Sequence, residues 1–252
     1  MSEKSHVQVL ELTEPENPLP PISIDELPGI MRVAANRAGW TELTPVQSRA
    51  IPYLQAHRDL MVQARTGSGK TGAFILPLLD QVDKNQPNCQ ALVLVPTREL
   101  AQQVAAEAKL LAGNNGMRAV PVYGGTSYKP QIAAFKKGAH CVIGTPGRIL
   151  DHLIKRNLNL KKLRFLIYDE ADRMMSMGFY PDMLQIHEFL PEREISGYMF
   201  SATIPPHVIR LSQQLLNSPD FLSLSSDHVH VEDTGHIYYL IPGMDKERSL
   251  VR

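Results

Sequence analysis

The run Ala64, Arg65, Thr66, Gly67, Ser68, Gly69, Lys70 and Thr71 constrains this chain more than any other stretch. It follows the apolar segment Leu60–Gln63 directly and opens a stretch with helical periodicity. Glycines at 67 and 69 free the backbone to curl its N–H groups around an anion, and the helix that follows turns its positive end toward the same point. Only a strand that delivers the chain to a helix start offers this arrangement, so the run predicts a strand–loop–helix unit. In it Lys70 reaches the terminal phosphates of a nucleotide and the Thr71 hydroxyl ligates Mg²⁺. The ordinary alternative is a flexible glycine loop with a solvated lysine. The Gly-x-Gly-Lys-Thr core in this setting makes that a poor fit.

The rest of the chain alternates in the same manner. Short β-rich apolar runs at Leu60–Gln63, Ala91–Val95, Ala119–Tyr123, His140–Gly144, Phe165–Tyr168 and Tyr198–Ser201 are separated by helical patterns near 70–82, 98–112, 129–137, 147–156, 180–189 and 206–216. Such alternation predicts an α/β fold with a mostly parallel central sheet and helices on both faces. Ligands are then expected at the carboxyl ends of the strands. Upstream, Leu27, Ile30, Met31 and Ala34 suggest a helix running from Asp25 to Gly39, and Thr44-Pro45 a second helix start. Four prolines within Pro15–Pro21 keep residues 1–21 extended, with a short strand expected at Val7–Leu12. The body of the domain is expected over 22–224. Residues 225–252 read as a linker, a strand at His236–Pro242 and a helix beginning at Asp245, the start of a second domain of which this chain holds only the beginning.

A phosphate loop needs a carboxylate for the metal and a group that positions water. Phe165-Leu-Ile-Tyr168 leads straight into Asp169-Glu170-Ala171-Asp172. Acids at the tip of a central strand stand where such a metal lies, so Asp169 is the expected metal-side carboxylate and Glu170 the water-orienting base. Adjacent acids alone are usually an exposed turn; four preceding apolar residues and the glycine loop reverse that balance.

With these residues in place the chain resembles the DEAD-box family of ATP-dependent RNA helicases, in its N-terminal RecA-like domain. Further segments match in order from about residue 22 to 216: Thr44-Pro45-Val46-Gln47 behind Gly39-Trp40; Pro96, Thr97, Arg98 and the following Glu-Leu; Gly124-Gly125; Thr145, Pro146, Gly147 and Arg148; and Ser201-Ala202-Thr203. The resemblance implies ATP and Mg²⁺ as cofactors. It assigns adenine reading to Gln47, whose amide supplies one donor and one acceptor, and catalysis to Lys70, Asp169 and Glu170. It gives RNA-backbone contacts to the segments at 96–98, 124–125 and 145–148, and coupling of turnover to unwinding to Asp172, Ser201 and Thr203. Hydroxyls at the end of the strand carrying Ser201 are expected to bond Asp172 or Glu170. Backbone contacts position RNA without reading sequence, so binding should be salt-sensitive and sequence-tolerant. Three positions depart from the family pattern: Ile22 where an aromatic usually stacks on adenine, Tyr168 where a small aliphatic is common, and Ser176 where an acid is frequent. The family's arginine finger belongs to a second RecA-like domain, so this chain alone should hydrolyse ATP slowly. Two other readings use the same motifs, an ATP-dependent RNA clamp and a DNA translocase of the same superfamily.

Charge at first argues against a polyanionic partner, because 26 Lys+Arg balance 26 Asp+Glu. The balance conceals a gradient. Residues 1–30 carry six acids against Lys4, whereas residues 129–164 carry nine bases against Asp151 alone. Arg148 lies in that basic segment, so RNA binding is expected to fall when Arg148 and its basic neighbours are reversed. Cys89 and Cys141 are far apart and without CxxC partners, no apolar run approaches membrane length, and no signal peptide is visible. A soluble, cytoplasmic protein, monomeric as this fragment and with no membrane partner, is the expectation; a nuclear location stays open.

Overall fold

The computed structural model describes residues 14–224. The expected elements at Val7–Leu12, His236–Pro242 and Asp245–Arg252 lie outside them. Seven strands, β1 (Leu60–Gln63), β2 (Ala91–Leu94), β3 (Ala119–Val122), β4 (Cys141–Gly144), β5 (Phe165–Asp169), β6 (Ser196–Ser201) and β7 (Asp220–Ser223), form one sheet in the order β3-β4-β2-β5-β6-β1-β7. Every neighbouring pair is parallel. The sheet is thus wholly parallel, as its near-continuous apolar strands require: β2, β4, β5 and β6 are buried at every position.

Nine helices cover the sheet among the described residues: α1 (Gly29–Arg37), α2 (Pro45–Gln55), α3 (Lys70–Gln81), α4 (Arg98–Ala112), α5 (Tyr128–Lys137), α6 (Pro146–Ile154), α7 (Ala171–Ser176), α8 (Tyr180–His187) and α9 (Pro206–Leu215). Strand side chains alternate between two apolar cores. Val93, Ile143, Ile167 and Phe200 join the core under α1–α4, while Leu92, Val142, Leu166 and Met199 join the one under α6–α9, with Phe135 of α5 packed against it. Each strand therefore feeds both faces, the period-2 consequence of a pleated sheet covered twice.

Three sequence expectations need correction. The first helix starts at Gly29 rather than Asp25, because Pro28 holds a φ of −47° and ψ of 146° and residues 24–26 form a turn. Its buried face is Met31, Ala34 and Ala35; Ile30, expected inward, is 39% exposed. Second, β7 was not anticipated: it adds to the free side of β1, pairing Leu60 with Asp220 and Val62 with Leu222. Third, the expected helical patterns omit α7, which begins at Ala171 within the acidic run itself. The described part of the lead-in has no regular structure and is tied down by Leu19 N–H donating to the Tyr53 hydroxyl (3.0 Å) and by a Glu14–Arg49 ion pair (3.0 Å). Among the described residues no helix is long and apolar enough to cross a membrane.

Candidate functional site

Parallel strands place every strand-to-helix turn at one edge of the sheet. The order of the strands then sorts the candidate residues along that edge. The turns after β3, β4 and β2 are neighbours and hold Gly124–Gly125, Thr145–Arg148 and Pro96–Arg98; the ends of β5, β6 and β1 are neighbours and hold Asp169–Asp172, Ser201–Thr203 and the glycine loop. One half of the edge gathers the segments expected to hold nucleic acid, the other those expected to hold nucleotide.

In the nucleotide half, Gly67 (φ +79°) and Gly69 (φ +92°) adopt the left-handed backbone that L side chains avoid, and Gly69 is the N-cap of α3. A Cβ at Gly69 would stand 2.9 Å from the Gln47 amide nitrogen and the Thr44 hydroxyl, so the loop closes only with glycine there. Lys70 is buried (6% exposed), its Nζ donating to the Ala64 carbonyl at 3.3 Å and lying 3.8 Å from Asp169 Oδ1. Asp169 is buried as well, and burial pushes its carboxyl up to about 6 against the pull of Lys70, with Glu170 and Glu107 adding to the rise. Glu170 stands at φ 55°, ψ 51°, a left-handed conformation costing on the order of 1 kcal/mol in a residue with a Cβ. Its N–H donates to Asp169 Oδ1 (3.0 Å) and Arg173 approaches its carboxylate at 3.3 Å. Glu170 lines, with Lys70, Thr71 and Asp169, a cavity of about 500 Å³ at the strand tip.

Two observations test the fit of a nucleotide and its metal. Ser68 Oγ is buried in the loop without a hydrogen-bond partner, an orphan that a phosphate oxygen satisfies. Among the described residues no group of three or more His, Cys, Asp or Glu is arranged to hold a metal alone. Thr71 and Asp169 offer too few ligands for a protein-only site, which suits Mg²⁺ carried in on phosphates and water.

Gln47 is more occupied than its sequence suggests. Thr44 and Gln47 form a capping box on α2, in which Thr44 N–H donates to Gln47 Oε1 (3.0 Å) and Gln47 N–H to the Thr44 hydroxyl (3.4 Å). Gln47 Nε2 also donates to the Gly69 carbonyl at 3.1 Å, welding α2 to the glycine loop. One amide N–H and one lone pair are left for a base edge. Ile22 exchanges hydrogen bonds with Ser48, through its N–H (3.0 Å) and its carbonyl (2.6 Å), and its side chain packs against the core.

The expected link at the end of β6 is present, to Asp172 and not to Glu170. Thr203 gives Asp172 Oδ2 both its hydroxyl (2.6 Å) and its N–H (3.0 Å), while Ser201 Oγ accepts from Asp172 N–H (3.1 Å) and donates to the Thr203 carbonyl (2.8 Å). Burial alone would raise the Asp172 carboxyl; the two bonds from Thr203, with Ser201 and the Arg173 N–H, together hold the group below its ordinary value.

In the other half, Thr97 and Thr145 are the N-caps of α4 and α6; Thr97 Oγ1 accepts from Leu100 N–H, whereas Thr145 makes no such bond. Pro96 is buried, Gly147 lies against Asp182, and Arg98 pairs with Glu99 at 3.2 Å within 3.8 Å of where a Gly125 Cβ would stand. Arg148 donates to the Thr126 carbonyl (3.0 Å) and lies 4.2 Å over the Tyr128 ring. Gln131 fixes the same turn from behind, donating to the Tyr123 carbonyl and the Thr126 hydroxyl while facing buried His152 at 2.8 Å.

The basic segment does not form one surface. Lys136, Lys137, Lys161, Lys162 and Arg164 precede β4 or β5 and so stand at the amino edge of the sheet. Arg148 stands at the carboxyl edge with Lys129, in the first turn of α5, and with Lys155, whose Nζ lies 4.2 Å over the same Tyr128 ring. Sequence reasoning also passed over Glu107 and Arg173, which line the cavity beside the glycine loop. Burial raises the Glu107 carboxyl, with the Thr71 hydroxyl drawing it partly back. Spacing offered one faint signal, since Leu100, Gln103 and Glu107 share a face of α4.

Comparison with known proteins agrees with this geometry. The family model described as DEAD/DEAH box helicase matches residues 44–211. The chain is 40% identical over 227 residues to the ATP-dependent RNA helicase DeaD of Haemophilus influenzae, covering 90% of this chain and 37% of that protein. It is 36% identical over 219 residues to the DEAD-box ATP-dependent RNA helicase CshA of Bacillus subtilis, covering 87% and 44%. The crystal structure of a DEAD box protein from the hyperthermophile Methanococcus jannaschii superposes with a TM-score of 0.76 at 39% identity, over 80% of this chain and 55% of that one. The chain therefore spans less than half the length of these two curated relatives. With a family model over most of the domain, and the glycine loop and acidic run at neighbouring strand ends, the chain belongs to the DEAD/DEAH box helicase family.

Proposed function

We propose that this chain is the ATP-binding, RecA-like domain of an ATP-dependent RNA helicase. Residues 22–224 form that domain, 1–21 lead into it, and 225–252 connect it to a second RecA-like domain. The observation that carries the reading is the division of one sheet edge. The RNA segments sit at β3, β4 and β2, the nucleotide segments at β5, β6 and β1, and Thr97 and Glu99 line the nucleotide cavity from the RNA side.

Within this reading Gln47 offers its remaining N–H and lone pair to the adenine edge. The loop from Ala64 to Thr71 wraps the phosphates with backbone N–H groups, and Lys70 supplies the charge. Thr71 and Asp169 would hold Mg²⁺, which would neutralise charge developing on the phosphate oxygens. Glu170, held by Asp169 and Arg173, accepts a hydrogen bond and then a proton from a water. Asp172 reports the state of the acidic run to Thr203 and Ser201, on the far side of the strand tip. Thr97, Arg98, Gly124, Gly125, Thr145, Gly147 and Arg148 take the sugar–phosphate backbone, and closure of the two domains separates a short duplex.

The decisive experiment uses the full-length protein. Glu170→Gln is expected to keep Mg²⁺-dependent ATP binding and RNA binding while abolishing RNA-stimulated turnover. Turnover at the unaltered rate would take the base role away from Glu170. If ATP only prolongs the RNA complex and no duplex separates, the protein is a clamp; equal stimulation by DNA makes it a DNA translocase.

A further inference from the structure

One amino-edge cation left over by the site above, Lys137, has two others beside it, Lys109 and Arg118, and a physical route to the site. β3 is the terminal strand of the sheet, and α5 runs beside it from the Gly124–Gly125 turn back toward the amino edge. Two depressions lie along this strand. One, of about 360 Å³, opens at the carboxyl end beside Tyr123, Thr126 and Ser127; the other, of about 460 Å³, opens at the amino end beside Lys109, Arg118 and Lys137. Val120 and Ala134 line both, so the two adjoin and together mark a groove along β3. Its walls carry three cations and no acidic residue, and none of the three forms an ion pair among the described residues. Arg118 is held in place, its Nε donating to the Gly138 carbonyl at 2.8 Å, and Gly138 at φ +97° has no Cβ that would collide with it.

We propose that this groove is a second nucleic-acid contact, in which a single strand leaving the Gly124–Gly125 turn follows β3 to the cations at the amino edge. The inference rests on the RNA reading of that turn. It extends a backbone-binding path beyond the segments the family motifs cover. From Ala119 to Tyr123 the strand rises about 13 Å, the span of about four phosphates in a stacked strand. Pro121, in the middle of β3, blunts the edge against an added β-strand, which favours a phosphate chain over an extended acidic peptide. Tyr123 at the mouth of the groove, its hydroxyl accepting from Gln102, offers an aromatic face for a base.

The test compares two uridine oligonucleotides on this chain, one of about five nucleotides that fills the carboxyl edge and one of about ten that reaches the groove. Fluorescence anisotropy across a salt series reads affinity and its salt slope. Wild type is expected to bind the longer strand more tightly and with a steeper slope. Lys109→Ala/Lys137→Ala spares Arg118 and all carboxyl-edge residues. It should remove most of the long-strand advantage, on the order of tenfold, and flatten the slope by about 1.4, at about 0.7 per released counterion. Its affinity for the short strand and its melting temperature should stay unchanged. An unaltered long-strand advantage in this variant, with normal short-strand binding, overturns the groove and leaves the carboxyl-edge reading intact. Failure of wild type to bind the short strand overturns that underlying reading instead. Displacement of the long strand's dye signal by poly-glutamate in wild type alone, with no change in RNA slope, assigns the groove to acidic polypeptide and overturns the proposal.

Discussion

Replacing Lys70 by methionine keeps the bulk of a buried stem and removes its charge, and the cost should depend on pH in a way that isolates Asp169. That carboxyl titrates near 3.8 in an unfolded chain and at about 6 in the fold, raised chiefly by burial and held down by Lys70 at 3.8 Å. A raised acid favours the fold most when protonated. Its contribution is complete below about 3.8 and is lost as pH climbs through about 6, beyond which the fold carries a penalty of about 3 kcal/mol. Without Lys70 the carboxyl rises further, but protonation caps what this can cost. Near pH 7 a neutral Asp169 costs about 4 kcal/mol against the ionised unfolded chain, so Lys70→Met adds at most about 1 kcal/mol through this group. Near pH 5 Asp169 is mostly protonated in both proteins and the difference shrinks toward zero; near pH 8 the ceiling widens to about 3 kcal/mol. A charge with no such escape would cost about 3–5 kcal/mol at every pH. Urea unfolding of both proteins at these three pH values makes the comparison. A loss of about 3 kcal/mol that is the same near pH 5 and pH 8 would refute the assignment of Lys70 as the counter-charge of Asp169.

Other substitutions probe separate parts of the site. Tyr168 is fully buried and its hydroxyl has no partner, so Tyr168→Phe should raise stability by about 1 kcal/mol in chemical denaturation, and a loss of that size would mean the hydroxyl is satisfied. Thr203→Val keeps the N–H bond to Asp172 and removes the 2.6 Å hydroxyl bond at a partly exposed site, so stability should fall by about 1 kcal/mol with ATP affinity unchanged; altered ATP affinity would place Thr203 within the nucleotide site. Gln47→Ala removes the side-chain half of the capping box and the bond to Gly69, and is expected to cost about 2 kcal/mol along with discrimination between ATP and GTP; retained discrimination would put base reading elsewhere.

The strands that sequence disclosed best are the ones buried on both faces, since Ala91–Leu94, Cys141–Gly144 and Phe165–Asp169 are short apolar runs next to turn signals. Asp220–Ser223 escaped because only Phe221 and Leu222 are apolar, and its place beside β1 is set by tertiary pairing. The glycine loop and the acidic run were legible because their chemistry is local: a few consecutive residues carry the whole geometry. Glu107 was not, because a glutamate on a helix is ordinarily solvated and its approach to Thr71 depends on how α4 lies over the sheet edge. The basic segment misled for a related reason. Each element carries the chain from one edge of the sheet to the other, so Lys137 at the end of α5 and Arg148 at the start of α6 end at opposite edges with β4 between them.

The strand order also sets a timetable for the chain as it leaves the ribosome. The phosphate loop hangs from β1, yet β1 finds its first partner only when β6 exists: Asp59, just ahead of it, takes the N–H of Gly197, 138 positions later, and β7 comes later still. At about 5–20 residues per second this is a wait on the order of ten seconds, during which Leu60, Met61 and Val62 have no strand beside them. The half of the sheet from β3 to β5 is synthesised and can assemble meanwhile. Nucleotide binding should therefore be the last property the nascent domain acquires, and stalled chains ending before residue 196 should show protected β2, β4 and β5 but no affinity for ATP.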